Sequence, residues 1–322
     1  MKCVIRCSSG GGEGWGNLFR ILVLRENLIR NFKAKVYLVI NGNEQVKKYL
    51  KSKKIQFISI KKNNQKIEKK KIKNIGLVDL AIIEMLNPTI NIQKTYVKIS
   101  KKLVILDDIL KNNYISDVLI SGQNTKIKPK RLLKTKFFSG YKYFPFNRNF
   151  ENFINKKKTI EQNIKKISIF LGGSLYKNYL LKIAEQLKSF KNVNFIIGAE
   201  LTTSFKLKIL KINKNFRISH LPKNIPYLLF SSDLVITGGG YTKIETACVG
   251  TPLIAIAVHN HQIPLLKEFD KKFNIDFLKL SEINILKKTI KNLTLKKRIF
   301  QNNKFKRYFK INGVNRIISK II

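Results

Sequence analysis

Residues Ser232–Gln262 read SDLVITGGGYTKIETACVGTPLIAIAVHNHQ. In this stretch an apolar run, Leu234–Thr237, leads into the three glycines Gly238–Gly240, and a helical pattern begins at the next residue. A short apolar run bounded by glycines is typical of a buried strand. Glycine has no Cβ, so the backbone can approach a ligand closely, and the first N–H groups of a helix carry partial positive charge. The stretch therefore predicts a strand, turn and helix of a parallel α/β protein, with a corner that suits a diphosphate.

Side chains near that corner add to the predicted site. Thr242 contributes a hydroxyl, and Glu245 lies one helical turn further on, where its carboxylate can accept hydrogen bonds from a ribose diol. A second glycine turn, Gly172-Gly173-Ser174, follows the apolar run ISIFL. Two such turns on neighbouring strands can hold one diphosphate from two sides. Glycines after a strand also occur for turn geometry alone, so that alternative stays open.

The alternation of short apolar runs with longer helical patterns extends along the chain and is typical of parallel α/β architecture. Strands are predicted at Cys3–Cys7, Val36–Ile40, Ile55–Ile58, Leu80–Ile83, Leu103–Leu106, Val118–Ile120, Ile167–Leu171, Val193–Ile197, Phe216–Ser219, Leu234–Thr237 and Leu253–Ala257. Helices are predicted at Asn178–Phe190, Tyr241–Val249 and Gln262–Phe269. Open parallel sheets bind ligands at the carboxyl ends of their strands, so chemistry is expected there.

A polar stretch, Asn152–Lys166, interrupts this pattern and is predicted to be an interdomain linker. The 322 residues are enough for two domains of roughly 100 to 200 residues each. We therefore predict a Rossmann-like acceptor or catalytic domain over residues 1–152. A second Rossmann-like domain, which binds the nucleotide-sugar, is predicted over residues 153–322.

The formal net charge of +45 raises the hypothesis of a nucleic-acid partner. Only ten of the 64 basic residues are arginine, and the lysines run evenly through nearly every segment. A dedicated nucleic-acid binder more often concentrates arginine and aromatic residues on one surface. We therefore predict no nucleic-acid partner. The charge still favours polyanionic ligands and weak association with anionic membrane surfaces.

The sequence also limits location and cofactors. No stretch approaches the roughly 20 apolar residues of a membrane span, and the run Cys3–Ile5 is too short for a signal peptide, so a cytoplasmic location is expected. Cys3, Cys7 and Cys248 have no CxxC or zinc spacing, which predicts free buried thiols and no metal. No register of the glycine-rich stretch Ser8–Arg20 fits GxGxxG, and no GxxxxGK[ST] loop occurs, so neither a dehydrogenase nor a P-loop enzyme is favoured. No cofactor is predicted.

The C-terminal motifs resemble the GT-B superfamily, and within it the C-terminal domain of glycosyltransferase family 28. The resemblance implies a fold of two Rossmann-like domains whose parallel sheets face a cleft. The family pattern is matched here by Asp233, Gly239-Gly240, Thr242, Glu245, Gly250 with Pro252, and His261-Gln262. By that resemblance the diphosphate and ribose of a nucleotide-sugar are bound by Gly173, Ser174, Gly239, Gly240, Thr242 and Glu245. Gln262, beside His261, is then expected to face the sugar.

The N-terminal half resembles a relative of that family, the UDP-sugar hydrolase of pseudaminic acid biosynthesis. Its opening segment is matched by Arg6, Gly14, Gly16 and Arg20, of which Arg6, Gly16 and Arg20 are implied to bind substrate. Similar middle segments are ILDDI at Asp107 and Asp108, DVLISGQN up to Asn124, and SGYKYFPFNRNF from Ser139.

One position departs from both families. They have a histidine after the Gly-x-Gly turn, and in the hydrolase it is implied to be the general base. Here the residue is Asn17, whose amide can orient a nucleophile but cannot take up a proton near neutral pH. Glu13, Asp107 and Asp108 are the nearby candidates for a base, although turn and strand-end carboxylates also have structural explanations.

The resemblance implies an enzyme of surface-polysaccharide or nonulosonic-acid biosynthesis that attacks the anomeric carbon of a UDP-linked amino sugar and releases UDP without a metal. The acceptor is water if the hydrolase resemblance governs, and a hydroxyl group if the transferase resemblance governs. The alternative is a nucleotide-sugar-binding protein whose catalysis is impaired.

Overall fold

The computed structural model describes residues 1–322 except 11–12, 61–64, 124–128, 130, 133, 174–175, 199–200 and 310–311, with the backbone alone at 131–132. The chain divides into two compact units. The first contains Met1–Asn147 with Asn312–Ile322, and the second contains Arg148–Ile311.

The first unit is a seven-stranded sheet with the order β3-β2-β1-β4-β5-β7-β9, in which every pair is parallel. Its strands are β1 (Lys2–Ser9), β2 (Lys35–Gly42), β3 (Ile58–Ser59), β4 (Val78–Glu84), β5 (Ser100–Leu106), β6 (Asn113–Tyr114), β7 (Val118–Ser121), β8 (Arg131–Leu132) and β9 (Lys136–Ser139), and β6 and β8 pair separately. Its first four helices are α1 (Gly16–Phe32), α2 (Glu44–Ser52), α3 (Gln65–Lys73) and α4 (Ile90–Val97).

The second unit is a six-stranded parallel sheet with the order β12-β11-β10-β13-β14-β15. Its strands are β10 (Lys166–Phe170), β11 (Asn192–Ile197), β12 (Arg217–His220), β13 (Leu234–Gly238), β14 (Leu253–Ala257) and β15 (Asp276–Lys279). Its helices are α5 (Glu151–Ile154), α6 (Lys177–Leu187), α7 (Thr203–Ile212), α8 (Ile225–Phe230), α9 (Tyr241–Cys248), α10 (Gln262–Phe273), α11 (Leu286–Asn292) and α12 (Leu295–Tyr308).

The central strands are buried along their whole length. All five residues of β13 and all five of β14 are inaccessible, because helices cover both faces of a parallel sheet and leave no polar side to the strand. In each sheet the strand order reverses between the first strand and the fourth, so the crevice at that switch point lies between β1 and β4 in one unit and between β10 and β13 in the other.

Two glycines allow the loop after β10 to pass close to its neighbours. A Cβ on Gly238, at the end of β13, would lie 2.2 Å from the carbonyl oxygen of Leu171. A Cβ on Gly198, after β11, would lie 2.4 Å from the carbonyl oxygen of Gly173. Any side chain at either position would collide with the backbone. The two glycines therefore allow the loop after β10 to lie close to β13 and β11 at the switch point.

The end of the chain returns to the first unit. The last helix, α13 (Val314–Ile321), buries Val314, Ile317, Ile318 and Ile321. Before it, the Asn312 side chain accepts a hydrogen bond from the Phe146 amide (3.0 Å) and donates one to the Phe146 carbonyl (2.9 Å). The sequence predicts a single C-terminal domain over 153–322, whereas contacts assign residues 312–322 to the first unit.

Other details also differ from the sequence-based expectations. The stretch predicted as a linker, Asn152–Lys166, begins inside α5 and belongs to the second unit. Lys158 in this stretch donates to the Ser232 carbonyl (2.8 Å) and also to that of Phe230. The third strand of the first unit lies at Ile58–Ser59, three residues later than the predicted start. All three cysteines are free and buried as predicted. No helix in the described part of the chain is both long and apolar enough to cross a bilayer.

Candidate functional site

The glycine corner after β13 lies at the switch point of the second unit. The strand ends at Gly238, and Gly240 occupies the N-cap position of α9, with no side chain capping the helix. The Gly239 amide donates to the Ile256 carbonyl (2.8 Å), which ties the corner to β14. The helix therefore begins within two residues of the strand and presents its positive end at the sheet edge.

The carbonyl groups of all three glycines are held by the first turn of α9. Thr242 Oγ1 donates to the Gly238 carbonyl (3.2 Å). Lys243 Nζ donates to the Gly239 carbonyl (2.7 Å) and the Gly240 carbonyl (3.0 Å). The Lys243 side chain is completely buried. The Thr242 and Lys243 side chains thus hold the backbone of the corner in one conformation.

Gln262, the first residue of α10, lies against the same corner. Its Oε1 accepts a hydrogen bond from the Val258 amide (3.0 Å). A Cβ on Gly239 would lie 2.8 Å from that oxygen, and one on Gly240 would lie 3.6 Å from Gln262 Nε2. The two segments that the sequence identifies, the glycine corner and the His261-Gln262 pair, are therefore in contact.

His259, in the loop between β14 and α10, contacts the loop after β10. His259 Nε2 shares a hydrogen bond with the Tyr176 hydroxyl (3.2 Å), and its ring stacks on that of His261 with centroids 5.3 Å apart. Burial lowers the pKa of His259, which favours the neutral ring at pH 7. Loops from three neighbouring strands, β10, β13 and β14, thus converge at one edge.

Glu245 lies one turn into α9 and is half-buried. Among the described residues none donates a hydrogen bond to its carboxylate, and burial raises its pKa to about 7. A carboxylate with this environment gains stability from any donor that reaches it, because hydrogen bonds favour the charged form that burial disfavours.

The second glycine turn is only partly described. Gly173 is half-buried after β10, and its carbonyl packs against Gly198. Ser174, predicted to bind the diphosphate, lies outside the described residues, as does Asn124 of the first unit.

In the first unit, Arg20 is buried in an ion-pair cluster at the ends of β4 and β5. Its guanidinium donates through Nε to Glu84 Oε1 (2.9 Å), again through Nη2 to the same oxygen, and through Nη1 to Asp108 Oδ2 (2.8 Å). Ser121 Oγ donates to Asp108 Oδ1 (2.8 Å). Glu84 Oε2 is buried, with no hydrogen-bond partner among the described residues. Burial raises the pKa of Glu84 to about 8, against the lowering effect of Arg20.

Arg6 belongs to a second buried pair. Its Nε donates to Glu68 Oε1 (2.9 Å), which also accepts a bond from the Tyr96 hydroxyl (2.7 Å), and its Nη1 donates to Ser8 Oγ (2.8 Å). Arg6 and Arg20, both predicted to bind substrate, are thus hydrogen-bonded to carboxyl groups of the first unit. Their exposed fractions are only 3% and 4%.

The three predicted catalytic residues have different environments. Asn17 is buried at the start of α1, behind Gly16, and its Nδ2 donates to the Ser8 carbonyl (3.2 Å). Asp107 is also buried and accepts bonds from the Ile109 amide (2.8 Å) and the Tyr114 hydroxyl (2.6 Å). Burial raises the Asp107 pKa to about 6, although those bonds lower it. Glu13 is half-buried, and its Oε2 accepts a long bond from the Leu86 amide (3.4 Å).

Comparison with known protein families gives a match to part of the chain. A family model described as "Protein of unknown function (DUF354)" matches residues 134–318, more than half of the sequence. The chain belongs to the DUF354 family. No curated protein matches its sequence.

Solved structures similar to this DUF354 protein share its fold over the whole chain. MurG of Acinetobacter baumannii is 15% identical with a TM-score of 0.66, covering 100% of this chain and 99% of its own. A putative UDP-N-acetylglucosamine 2-epimerase of Listeria monocytogenes is 15% identical with a TM-score of 0.62, covering 100% and 96%. Anabaena Alr3699/HepE in complex with UDP and glucose is 15% identical with a TM-score of 0.60, covering 99% and 98%. The predicted GT-B fold, with two parallel-sheet α/β domains, is confirmed.

The DUF354 protein also has two buried polar residues, one in α9 and one at the end of β4, that the sequence-based predictions did not include. Lys243 gives no signal in the sequence, because a lysine in a helix is usually exposed to solvent. Glu84 comes directly after the predicted strand Leu80–Ile83, at the kind of strand end where ligands bind. No group of three His, Cys, Asp or Glu residues in the described ranges is arranged to hold a metal ion.

Proposed function

We propose that this DUF354 protein is a UDP-sugar-processing enzyme that releases UDP after attack on the anomeric carbon. The observation that carries the proposal is the glycine corner at the switch point, whose three carbonyls are held from behind by Thr242 and Lys243. A corner built in this way turns the amides of Gly240 and Tyr241 and the positive end of α9 outward, which is what a diphosphate requires.

Each residue around the corner has a proposed part. Gly240 and Thr242 bind the diphosphate through backbone amides, with Gly173 and Ser174 on its other side. Gly239 shapes the corner, because its amide donates to the Ile256 carbonyl and its carbonyl accepts from Lys243. Glu245 accepts hydrogen bonds from the ribose diol, which would supply the donors its half-buried carboxylate lacks among the described residues. Gln262 and His261 contact the sugar from the loop after β14.

The solved structures support this choice of ligand. One of them, HepE, holds UDP and glucose, and another is named for an epimerase of UDP-N-acetylglucosamine. At 15% identity they share the fold. The ligand class for this chain is therefore inferred from the corner and the fold together.

The proposed reaction is a displacement at the anomeric carbon. An oxygen nucleophile forms a bond to that carbon while the bond to the diphosphate oxygen breaks, and the electron pair of the broken bond leaves with UDP. Charge that develops on the leaving group is stabilised by the amides of the corner and the α9 dipole. The nucleophile gives its proton to a general base, a contribution worth roughly 10²- to 10⁴-fold in rate.

Among the candidates for that base, the environments favour Glu13. Asn17 has an amide that already donates to the Ser8 carbonyl. Asp107 is enclosed by donors that satisfy its carboxylate. Glu13 is half-buried and has one long hydrogen bond among the described residues, which leaves room for a hydrogen bond from the nucleophile to its carboxylate. Water or a sugar hydroxyl is the acceptor, and the proposed substrate is a UDP-linked amino sugar of surface-polysaccharide or nonulosonic-acid biosynthesis.

The second candidate function is nucleotide-sugar binding without turnover. The observation in its favour is that Arg6 and Arg20 bind buried carboxyl groups inside the first unit. The resemblance to the UDP-sugar hydrolase also implies that Asn17 stands where that enzyme has its histidine base. This candidate retains the UDP site of the second unit and lacks the catalytic function of the first.

The test combines binding and turnover on purified protein. UDP should raise the melting temperature, and Glu245→Ala should reduce that shift, whereas Glu185→Ala, on an exposed part of α6, should leave it unchanged. Release of UDP from UDP-N-acetylglucosamine and UDP-glucose is then followed with and without hydroxyl acceptors. Glu13→Gln should lower turnover by roughly 10²-fold or more and leave UDP binding intact. A UDP shift without turnover selects the binding protein, and the absence of any UDP shift contradicts both candidates.

A further inference from the structure

We propose that Lys243 is a positioning residue that orients the backbone amides of the glycine corner toward a diphosphate. The inference rests on the proposed function, because it assigns a role within the same UDP site. Lys243 does not contact the ligand in this proposal. It acts through the peptide groups on either side of Gly240.

The geometry of the trans peptide carries the first step. The Gly239 carbonyl and the Gly240 N–H belong to one peptide group, and the Gly240 carbonyl and the Tyr241 N–H belong to the next. Both peptide bonds are trans, so in each group the carbonyl and the N–H point in opposite directions. Lys243 Nζ binds both carbonyls, at 2.7 and 3.0 Å, and both N–H groups must therefore point away from it.

The position of Lys243 is one that the helix dipole disfavours, because a positive charge in the first turn of a helix lies near the positive end of that dipole. Lys243 is nevertheless fully buried within the first turn of α9, where its ammonium group binds the two carbonyls and lies 5.6 Å from the centre of the Phe269 ring. The repulsion between the ammonium group and the helix end is offset when an anion binds on the other side of the corner, because both then face a negative charge.

The chain contains a matched control in Lys306. Its Nζ also donates to two backbone carbonyls, those of Phe153 (2.8 Å) and Ile154 (2.9 Å). It packs against Gly250, just beyond the other end of α9. Lys306 thus has the same local chemistry as Lys243 without access to the glycine corner.

The experiment compares Lys243→Met with Lys306→Met in the full chain, using ligand-observed NMR titrations with UDP and with uridine. Methionine keeps the length and apolar contacts of lysine and removes the ammonium group. Lys243→Met should weaken UDP binding roughly ten- to a hundredfold, the range expected for lost hydrogen bonds to a charged group. Its uridine affinity should change by less than about threefold, since uridine has no phosphate. Lys306→Met should lower the melting temperature and leave the affinity for UDP unchanged.

A second variant keeps the test informative if methionine prevents folding. Lys243→Gln retains a neutral donor that can bind one carbonyl, so its UDP affinity should lie between those of the wild type and Lys243→Met. The inference is overturned if the folded Lys243 variants bind UDP as tightly as the wild type, or if they lose UDP and uridine affinity equally. If the wild type binds no UDP, the proposed function fails, and the role of Lys243 fails with it.

Discussion

At the scale of single residues, the buried carboxyl group of Glu84 predicts a pH dependence of stability. Its pKa is raised to about 8 by burial, so between pH 5 and pH 8 the folded chain keeps a proton that the unfolded chain has lost. The contribution of Glu84 is therefore fully present below its ordinary pKa and is lost as the pH rises toward 8. Glu84→Gln has no proton to lose. The free energy of unfolding of the variant, relative to the wild type, should rise by about 3 kcal/mol between pH 5 and pH 8.

Urea denaturation at several pH values measures this difference. Glu44→Gln is the control, because Glu44 is exposed and the hydrogen bond from Lys47 lowers its pKa. Glu44 is therefore ionised in both the folded and the unfolded chain over nearly all of this pH range, so this variant should follow the wild type. Parallel curves for Glu84→Gln and the wild type would contradict the raised pKa.

The sequence predicts the glycine corner and its neighbours better than it predicts the residues that support them. The corner and Glu245 are visible because glycine spacing and helical periodicity are local properties. Lys243, Glu68 and Glu84 are not, because their roles depend on which carbonyl or guanidinium lies opposite in the fold. Arg6 and Arg20 show what a sequence motif cannot reveal. Each of these arginines already binds a buried carboxyl group of the same unit.

At the scale of elements, the close approach of the loop after β10 to the end of β13 depends on the absence of a side chain at Gly238. In Gly238→Ala the new Cβ would lie 2.2 Å from the Leu171 carbonyl oxygen, a backbone atom that cannot rotate away. We expect a loss of about 1 to 3 kcal/mol in stability, as for other overpacked sites. Gly42→Ala should cost less, because its Cβ would meet the Val46 side chain at 2.7 Å.

Chemical denaturation of both variants tests the comparison. Gly198→Ala provides a further check, because its Cβ would meet the Gly173 carbonyl oxygen at 2.4 Å from the opposite side of the same loop. An unchanged midpoint for Gly238→Ala would mean that the loop after β10 can move away from β13 at little cost.

Elements with continuous apolar runs are predictable, whereas two of the edge strands are not. The predicted span of β14 matches the structure in full, and β13 is longer by one glycine. The strands β9 and β15 lie at the ends of their sheets and are partly exposed, so their sequences KFFS and DFLK contain no apolar run to signal a strand. The return of α13 to the first unit is equally hidden, because its partners Phe144 and Phe146 are far away in sequence.

At the scale of the whole molecule, the net charge of +45 acts on every anion, whatever its structure. Long-range attraction between exposed charges is screened beyond about 8 Å at physiological ionic strength. Hydrogen bonds from the glycine corner act at contact distance and are screened much less. The two kinds of binding should therefore separate when salt is varied.

This separation gives a prediction that distinguishes a UDP site from a nucleic-acid surface. Single-stranded RNA should bind at 20 mM salt through evenly spread lysines, and log K should fall with log salt by about 0.7 for each phosphate neutralised. At 150 mM salt little RNA binding should remain, whereas UDP should still raise the melting temperature. Fluorescence anisotropy with labelled RNA and thermal shift with UDP, measured in the same buffers, test this. RNA binding that stays tight at 150 mM salt while the UDP shift disappears would reverse the assignment, because short-range contacts would then belong to the nucleic acid.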